Sequence, residues 1–547
     1  MSKIIWFLIH PENINIPLND IDVFDAWLNF VSFEKLWYKL IFWWIWDIEE
    51  LKSADKISFR KNQDLTLEDR NIVVDFSWNE IIIENDWLWS IPVFYNKQHR
   101  IISTLSLKTI YGKNYEYDYN AISNYFKAWY CLYGNTLIKW INFLRFYSKI
   151  TLKGKEFNVL EKIDDCLDIL NNNKWKIVSE DILNKIKNYV NSIINEQKNI
   201  VIPTSWWFDS RLLNNMVDDK KKIKSFSYWI SKDPYKSFET VYAKKLSEKL
   251  KTDFKVIELN EYYDEKYLKS FFKLFWISTH LHWMYHIEFY KKIFSSIDKK
   301  ESLVLSGIVW DVWAWKVEIW PIKSTDDIKE LYYSHGLCIE ENIISKNTDN
   351  KYCEEFFNKY YDQLENEEMR IIYLIRTKLI LLSYLMIIPE YLWVITETPF
   401  LNKEVSLDIL SLPSEERKWR NWQKKYFKSE WIYFEETNIK TDISNSLDQI
   451  TLSETKNELT LKNIPKFIDQ KFIEKTNINL KDRSIENKLF NTLKSIFWEK
   501  LTVYLKFWLN KFFWIRWLFN KNLDSLYNYL ILKVFQYAEE RWKWNNN

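Results

Sequence analysis

Glycine is nearly missing from this chain, which has 5 glycines in 547 residues. A chain of this length usually carries roughly 38. Because glycine is the residue that adopts positive φ without strain, so small a number leaves most tight turns without their usual residue. Tryptophan is in excess, with 31 copies, and the two counts together nearly equal the glycine count expected for this length.

Several tryptophans stand where glycine is the usual residue. Asp86-Trp87 and Asn421-Trp422 would be Asp-Gly and Asn-Gly, two dipeptides that are typical of turns. Ser77-Trp78-Asn79 separates two β-rich runs that a tight hairpin turn should join. We therefore interpret many of the tryptophans as glycines, from a bacterial gene whose UGA codons encode glycine but are read here as tryptophan. The alternative is a protein that is truly rich in tryptophan.

Cysteine is scarce, and basic and acidic charges are balanced. The cysteines have no Cys-x-x-Cys spacing, which argues against a zinc site and a disulfide framework and is typical of a reduced compartment. The four cysteines are Cys131, Cys166, Cys338 and Cys353.

The 77 basic and 75 acidic residues give a net charge of +2 without a polybasic block. This balance argues against a nucleic acid as the partner.

Long apolar runs are also missing. Residues 1–10 are apolar, but they are too short and wrongly flanked for a signal peptide. The run from Leu379 to Ile388 stops at Pro389, short of the ~18 apolar residues that a transmembrane helix needs. We therefore expect a cytoplasmic protein without a transmembrane segment.

The hydrophobic pattern divides the chain into four parts and predicts an α/β plus α+β fold. Residues 1–115 contain short β-branched and aromatic runs between polar turns, which predicts an antiparallel β domain. Residues 116–435 are predicted to contain a doubly wound parallel sheet, because apolar runs alternate with helical stretches from residue 199. The ligand of such a sheet lies at the carboxyl ends of the strands.

The last two parts have different compositions. Residues 436–484 are polar and fit a mobile linker or an insertion. Residues 485–547 return to helical patterning with many aromatic residues, which predicts a helical C-terminal extension. A docking helix or helical hairpin is the favoured role of this extension, and a helix on a membrane surface is the alternative.

The segment that follows the first strand of the parallel sheet has a pattern typical of phosphate binding. It reads Thr204-Ser205-Trp206-Trp207-Phe208-Asp209-Ser210, and glycine at both tryptophans would make it Ser-Gly-Gly-Phe-Asp-Ser. A glycine pair lets backbone N–H groups approach phosphate oxygens closely, and the following helix points its positive end at the anion. The hydroxyl groups of Ser205 and Ser210 can donate, and Asp209 can organise the loop or a metal ion. An ordinary strand-to-helix turn is the alternative.

A second strand-to-loop element lies further along the chain. It reads Ser306-Gly307-Ile308-Val309-Trp310-Asp311, which becomes Ser-Gly-Ile-Val-Gly-Asp with glycine at position 310. The strand before it is the apolar run from Leu303 to Leu305. The sequence thus offers two polar loops that each follow a buried strand.

The first pattern resembles the pyrophosphate loop of N-type ATP pyrophosphatases, and its best match is the asparagine synthetase family. The second resembles the second nucleotide loop of that family, Ser-Gly-x-Gly-x-Asp-Glu, although Ile308 and Val312 stand where the family commonly has glutamate. Three further elements follow the family's order: Phe226-Ser227-Tyr228-Trp229, Glu397-Thr398-Pro399-Phe400-Leu401-Asn402 and Leu410-Ser411-Leu412-Pro413.

The resemblance implies an adenine nucleotide α-hydrolase-like domain that binds ATP and Mg²⁺. Asp209 and Asp311 are the implied magnesium ligands and catalytic residues. Lys424 or Lys425 is the implied lysine that stabilises the transition state. The implied ATP contacts are Thr204, Ser205, Trp206, Trp207, Asp209, Ser210, Tyr228, Ser306 and Gly307.

The N-terminal part resembles the Ntn-type glutamine amidotransferase domain of the same family. The segment from Asn85 to Tyr95 resembles its Arg-Asp-x-x-Gly-x-x-Pro-Leu-Tyr motif, with Asp86 at the aspartate. Family members that hydrolyse glutamine begin Met-Cys-Gly-Ile, whereas Met1 is followed here by Ser2. Because a serine hydroxyl is activated far less readily than a thiol, we expect a structural relic without glutaminase activity.

The implied function is an ATP-dependent amide-forming ligase. Such an enzyme activates a small-molecule carboxylate as an acyl-adenylate, releases pyrophosphate, and transfers the acyl group to ammonia or another amine. Aspartate is the default carboxylate. The alternatives are amide formation of the β-lactam synthetase or peptide-cyclase type, and a nucleotide-binding pseudoenzyme. A homodimer is compatible with the resemblance.

Three histidines, His280, His282 and His286, lie close together in the sequence. The spacing of the last two suits a metal site on a helix. No acidic third ligand stands at a telling position, so structural or substrate-pocket roles are favoured.

Overall fold

Two antiparallel sheets come first in the fold, and a parallel sheet with helices follows, in a computed structural model of the chain. This order confirms the mixed α/β character of the predicted fold. The structure describes residues 3–17, 30–45, 55–59, 67–76, 79–112, 115–174, 176–229, 237–261, 264–276, 278–315, 317–332, 343–436, 459–480 and 513–544.

The antiparallel sheets pack face to face around one core. Their strands are β1 (Lys3–Pro11), β2 (Phe30–Lys35), β3 (Tyr38–Ile45), β4 (Lys56–Ser58), β5 (Ile72–Asp75), β6 (Ile81–Asn85), β7 (Phe94–Asn96), β8 (Ile101–Ser103), β9 (Ile141–Phe143), β10 (Ser148–Lys153) and β11 (Glu156–Glu161). One sheet has the order β2-β3-β1-β8-β7-β9 and the other β11-β10-β6-β5-β4. Because side chains alternate along a strand, Phe7 and Ile9 of β1 share a buried core with Ile81 and Ile83 of β6.

Three strands beyond residue 115 complete these sheets. β9 pairs with β7, and β10 pairs with both β6 and β11. The turn between β10 and β11 contains Gly154 at φ +57, a conformation that glycine adopts without strain. The antiparallel part therefore extends to residue 161, past the boundary predicted at 115.

The parallel sheet has five strands, and its central strands are fully buried. They are β12 (Asn199–Pro203), β13 (Ile223–Trp229), β14 (Asp253–Glu258), β15 (Ser302–Leu305) and β16 (Ile395–Glu397). Every neighbouring pair is parallel, in the order β14-β13-β12-β15-β16. The short apolar runs of β12 and β15 are typical of strands covered on both faces. The predicted parallel sheet is confirmed.

The chain reverses its direction of travel across this sheet between β12 and β15. It runs from β12 outward to β14, and then returns to build β15 and β16 on the other side of β12. The adjacent strands β12 and β15 therefore lie at the point where the strand order reverses, and in sheets of this kind ligands bind at the carboxyl ends of those strands.

Helices surround the parallel sheet and join it to the antiparallel sheets. They are α1 (Tyr119–Ala128), α2 (Cys166–Asn173), α3 (Ser179–Ile194), α4 (Phe208–Met216), α5 (Phe238–Leu250), α6 (Glu265–Phe275), α7 (Tyr285–Phe294), α8 (Trp310–Ala314), α9 (Lys329–Tyr332), α10 (Lys351–Leu364), α11 (Glu367–Leu382), α12 (Tyr384–Tyr391), α13 (Lys403–Ser411), α14 (Ser414–Arg417), α15 (Asn421–Ser429) and α16 (Phe513–Trp544).

The C-terminal helix α16 packs onto α1. The ring of Phe535 lies 5.7 Å from that of Phe126 and 6.1 Å from that of Phe467. Phe467 belongs to residues 459–480, which also contain the buried Ile468. This part of the predicted polar linker is therefore packed against the core. The docking interpretation of the C-terminal extension fits these contacts.

One helical stretch in the described part of the chain, Glu367–Tyr391, is long and apolar enough to cross a membrane. Within the most apolar 18-residue segment of this stretch, 72% is buried inside the fold. Burial of this kind is the pattern of a core helix.

Tryptophan occupies backbone positions that normally belong to glycine. Of the fifteen non-glycine residues with positive φ in the described part of the chain, seven are tryptophans: Trp37, Trp89, Trp129, Trp140, Trp393, Trp419 and Trp431. Trp129, for example, ends α1 in the left-handed conformation at φ 69, where glycine is the usual helix terminator. Trp140 also has positive φ, and its side chain is 55% exposed. These positions have the backbone geometry of glycine.

Replacing Trp140 by glycine is expected to stabilise the tryptophan-containing chain. The residue has φ 69, and a left-handed conformation costs an L-residue roughly 1–2 kcal/mol. The matched control is Trp320→Gly, because Trp320 is also exposed but has no positive φ. In urea denaturation, we expect Trp140→Gly to have the larger free energy of unfolding of the two variants, by about 1 kcal/mol. Equal values for the two variants would contradict the strain at Trp140.

Candidate functional site

Two strand-to-helix loops lie side by side at the carboxyl edge of the parallel sheet. The first loop, Thr204–Trp207, joins β12 to α4, and the second loop, Ser306–Val309, joins β15 to α8. β12 and β15 pair in parallel, with Val201 opposite Val304. The register therefore brings together two segments that are far apart in the sequence.

Serine side chains hold the first loop against the start of α4. The backbone N–H of Ser205 donates to Ser210 Oγ at 3.1 Å, and that of Trp207 donates to Ser205 Oγ at 3.2 Å. The N–H of Thr204 donates to the carbonyl of Phe226 on β13 at 2.7 Å. The first turn of α4 also leaves backbone N–H groups that no helical hydrogen bond uses.

The second loop is held by β16 and contains a strained residue. The N–H of Ser306 donates to the carbonyl of Glu397 at 2.9 Å, and Ser306 Oγ accepts from the N–H of Ile308 at 3.3 Å. Val309 has φ 56, which is a rare conformation for a β-branched residue. Strain of this kind is concentrated at functional sites.

Gly307 lets the two loops approach each other. A Cβ atom at this position would lie 2.5 Å from Asp209 Oδ2 and 2.9 Å from its Cβ. No side chain fits at that distance. Glycine is therefore required at position 307 for the carboxylate of Asp209 to face the second loop.

Asp209 and Asp311 form a pair of partly buried carboxylates. Burial, and after it the negative charge of Asp311, raise the pKa of Asp209 to about 7. Burial likewise raises the pKa of Asp311, against the lowering effect of Arg420. The Oδ1 atom of Asp209 is buried without a hydrogen-bond partner among the described residues. Two such groups are stabilised in their charged form by a cation between them.

Arg420 is the basic residue that reaches this carboxylate pair, and the sequence analysis missed it. Its Nη2 atom lies 3.0 Å from Asp311 Oδ1 in an ion pair without hydrogen-bond alignment. The guanidinium also lies over the rings of Phe208 and Trp315, 5.1 Å from each centroid. Trp419 and Arg420 both have positive φ, which turns the chain toward the loops. The only sequence signal is the position of Arg420 just before the predicted Asn-Gly turn.

The two candidate lysines follow Arg420 by four and five residues. Lys424 and Lys425 belong to α15, and Lys425 is exposed. Neither has an ion pair or a hydrogen bond within the described part of the chain. Their predicted role in the transition state stays a prediction.

Tyr228 lies at the carboxyl end of β13, as predicted, and its backbone pairs with Ile257. Its ring packs away from the loops, against Tyr285 at 5.4 Å and Phe289 at 5.6 Å. Only its backbone is thus placed at the edge that carries the two loops.

The side chains of Trp206 and Trp207 project from the first loop. Their rings lie 4.8 Å apart, and that of Trp206 lies 4.5 Å from Phe238. Trp207 is 41% exposed and lies under the guanidinium of Arg420 at 5.8 Å. An indole at either position would restrict the approach of a phosphate group to the loop backbone.

The two residues predicted as remnants of an amidotransferase site are Ser2 and Asp86. Ser2 lies outside the described residues, and Asp86 is hydrogen-bonded within its own turn. The hydroxyl of Ser90 donates to Asp86 Oδ2 at 2.5 Å, and the N–H of Leu88 donates to Oδ1 at 2.9 Å. Burial raises the pKa of Asp86 to about 6, and these hydrogen bonds oppose the rise. The carboxylate therefore organises its own turn.

The described histidines do not gather around a metal position. The ring of His280 contacts the carbonyl of Trp129 at 3.0 Å. Burial lowers the pKa of His286 to about 3, so its ring is neutral. The favoured structural or substrate-pocket role of these histidines stays a prediction.

A group of three possible metal ligands does occur elsewhere, at Asp164, Asp165 and Cys166. Both carboxylates already have cationic partners, since Asp164 pairs with Arg376 and Asp165 with Lys403 at 2.7 Å. These ion pairs neutralise the group, so it offers little to a metal ion.

No protein-family model matches the chain, and no curated protein is detectably similar to it. The fit of Mg²⁺ and a nucleotide is therefore judged from the residues themselves. The unpartnered Oδ1 of Asp209 and the close approach at Gly307 fit a cation held between the loops. Trp206 and Trp207 are the residues that do not fit a phosphate group.

The carboxylate pair is expected to make stability pH-dependent. Because the pKa of Asp209 rises from 3.8 to about 7 on folding, the folded chain keeps a proton that the unfolded chain loses in this range. The free energy of unfolding should then fall as the pH rises from about 4 to about 7, by at most about 1.4 kcal/mol per pH unit. Urea denaturation in a chelator should show that Asp209→Asn removes this slope. An unchanged slope in the variant would contradict the raised pKa.

Proposed function

We propose that the chain is an ATP-dependent amide-forming ligase of the asparagine synthetase type, with glycine at positions 206 and 207 of the natural protein. One observation carries the proposal: two loops predicted separately to bind a nucleotide lie beside each other, with Asp209 of the first facing Gly307 of the second. They lie at the reversal point of the parallel sheet, which is the usual ligand position. The proposal includes an adenine nucleotide α-hydrolase-like fold for this part and an Ntn-like fold for the antiparallel sheets.

Each residue of the site has a physical role in the proposed reaction. Backbone N–H groups of the first loop and the positive end of α4 would bind phosphate oxygens. Asp209 and Asp311 would hold Mg²⁺, which neutralises phosphate charge. Arg420 would stabilise the negative charge that develops on the leaving pyrophosphate, since it already lies beside Asp311.

The proposed reaction has two steps. A substrate carboxylate attacks the α-phosphorus of ATP, the bond to the β-phosphate oxygen breaks, and pyrophosphate leaves. An amine then attacks the acyl-adenylate and AMP leaves, which forms the amide. In this proposal the attacking nitrogen belongs to ammonia or another amine.

Two apolar residues favour a carboxylate less polar than aspartate. Ile308 is buried in the second loop, and Val312 lies on α8. Both stand where the family commonly has glutamate. Intramolecular amide formation, as in β-lactam synthetases and peptide cyclases, is therefore the second candidate.

ATP–pyrophosphate exchange tests the proposal. Purified protein with glycine at positions 206 and 207 would be assayed with Mg²⁺, ATP, labelled pyrophosphate and a panel of carboxylic acids. The panel would hold aspartate, amino acids with apolar side chains, and β-amino acids. We expect exchange that depends on one class of acid. ATP binding without exchange would support the pseudoenzyme alternative, and neither binding nor exchange would reject the proposed function.

Gly307→Ala is expected to lower this exchange about 100-fold, since displacing a reacting group by about 1 Å has effects of that size. The added Cβ would push Asp209 away without changing any charge. Gly112→Ala is the control for a destabilising glycine substitution outside the site, because φ is +88 there but a Cβ meets nothing within 4 Å. Exchange by Gly307→Ala at the level of the control would contradict the role of the close approach.

A further inference from the structure

A polar cavity is lined by residues that do not belong to the first or the second loop. It has a volume of about 370 Å³ and opens where the antiparallel sheets meet α10. This volume is in the range of small-molecule sites. β7, β9, β10 and β11 form one wall, and α10 forms the other. We call it the α10 cavity.

The sheet side of the α10 cavity presents a guanidinium with free donors. Arg145 pairs with Glu161, and Lys359 pairs with the same carboxylate at 2.6 Å. The hydroxyl of Tyr360 also donates to Glu161, at 2.7 Å. Arg145 uses one of its nitrogen atoms in this contact, and its others have no hydrogen-bond partner among the described residues. These donors remain for a carboxylate at the cavity wall.

The helix side presents charges of both signs. Glu355 and Lys359 lie one turn apart on α10, and both line the cavity. Glu355 is exposed and has only a distant partner, Lys351, at 3.8 Å. Its carboxylate is therefore available to a cationic group.

A tyrosine completes the polar lining. Tyr95 lies on β7 at the cavity wall. Its hydroxyl has no hydrogen-bond partner among the described residues, and burial raises its pKa to about 12. Tyr95 is half-buried, so its hydroxyl is able to donate a hydrogen bond to a ligand in the cavity.

The charges that line the cavity balance: Arg145 and Lys359 are positive, and Glu161 and Glu355 are negative. A ligand that carries only a positive or only a negative charge would compensate side chains of one sign alone. A zwitterion has a group of each sign and compensates both the positive and the negative side chains. We propose that the α10 cavity binds a free α-amino acid, with its carboxylate at Arg145 and Lys359 and its ammonium group at Glu355. No tryptophan lines the cavity, so the proposal is independent of residues 206 and 207 and of the proposed function.

Isothermal titration calorimetry of the full chain, without ATP or Mg²⁺, tests this site. The probes are the twenty common amino acids, and for each one that binds, its N-acetyl and its carboxamide forms. We expect saturable binding of at least one free amino acid, and at least about 10-fold weaker binding of both blocked forms, because each loses a charge-assisted hydrogen bond. Failure of all twenty to bind, or equal binding of the blocked forms, would overturn the proposal.

Variants on the helix surface locate the binding site. Glu355→Gln and Lys359→Met change exposed residues, so neither should prevent folding. Each is expected to weaken binding at least about 10-fold. The matched control is Glu354→Gln, because Glu354 is an exposed neighbour that does not line the cavity. Equal affinity in all three variants would place the amino acid elsewhere and overturn the assignment.

Discussion

Changing Trp206 and Trp207 together to glycine is expected to increase the affinity of the chain for MgATP by on the order of 100-fold or more. The two indoles project from the loop that the proposal assigns to pyrophosphate, and Trp207 lies under Arg420. Glycine at both positions would free backbone N–H groups for phosphate oxygens. Hydrogen bonds to a charged group contribute about 1.5–3 kcal/mol each, so two of them account for an effect of this size.

Titration calorimetry of MgATP into both forms measures this effect. The matched control is Trp37→Gly with Trp140→Gly, because both residues are exposed and have positive φ but lie far from the loops in the sequence. This control should gain stability without gaining affinity for ATP. If the two double variants bind MgATP equally, the first loop is not the phosphate site.

Asp209→Asn and Asp311→Asn are each expected to lower ATP–pyrophosphate exchange on the order of 1000-fold in the protein with glycine at positions 206 and 207. Loss of a charged group that stabilises a transition state has effects of this order. Because both carboxylates would hold the same cation, the double variant should lose little more than either single variant. Exchange assays at saturating Mg²⁺ and ATP would give all three values.

Asp218→Asn is the matched control for these two variants. Asp218 is exposed and pairs with Lys187 at 2.9 Å, on the surface. Its removal should leave exchange unchanged. Fully additive losses in the double variant would indicate two independent roles, which contradicts a shared cation.

Local patterns predicted most of the parallel sheet. The predicted alternation of apolar runs and helical stretches from residue 199 corresponds to the order β12, α4, β13, α5 and β14. Such elements are readable because their apolar residues recur with the period of a single strand or helix. The end of the antiparallel part was harder, since β9 and β10 are short and gain their stability from partners far away in the sequence.

The same distinction applies to the site. The first and second loops were found because each follows its strand directly, so that their residues are neighbours in the sequence. Arg420 was missed because its contact with Asp311 joins residues that no local pattern connects. The close approach of Gly307 to Asp209 also appears only when β12 and β15 pair. Local motifs thus predicted the loops, and tertiary pairing supplied the charged partner.

Several tryptophans have side-chain environments that are unusual for this residue. Indole N–H groups usually find a partner when they are buried, yet those of Trp129, Trp229, Trp276 and Trp310 are buried without one among the described residues. Other tryptophans are exposed, such as Trp37 at 77% and Trp431 at 78%. Buried indoles without a hydrogen-bond partner and highly exposed indoles are both unusual for tryptophan. Trp37 and Trp431 also have positive φ, which glycine commonly adopts.

The most direct test of the account is the identity of residues 206 and 207 in the protein isolated from its own source. Mass spectrometry of a peptide that spans residues 201–211 would read both positions. The account predicts glycine at both, which would provide the phosphate loop beside Asp209 and Asp311. Tryptophan at both would contradict it and leave the parallel sheet without a phosphate site.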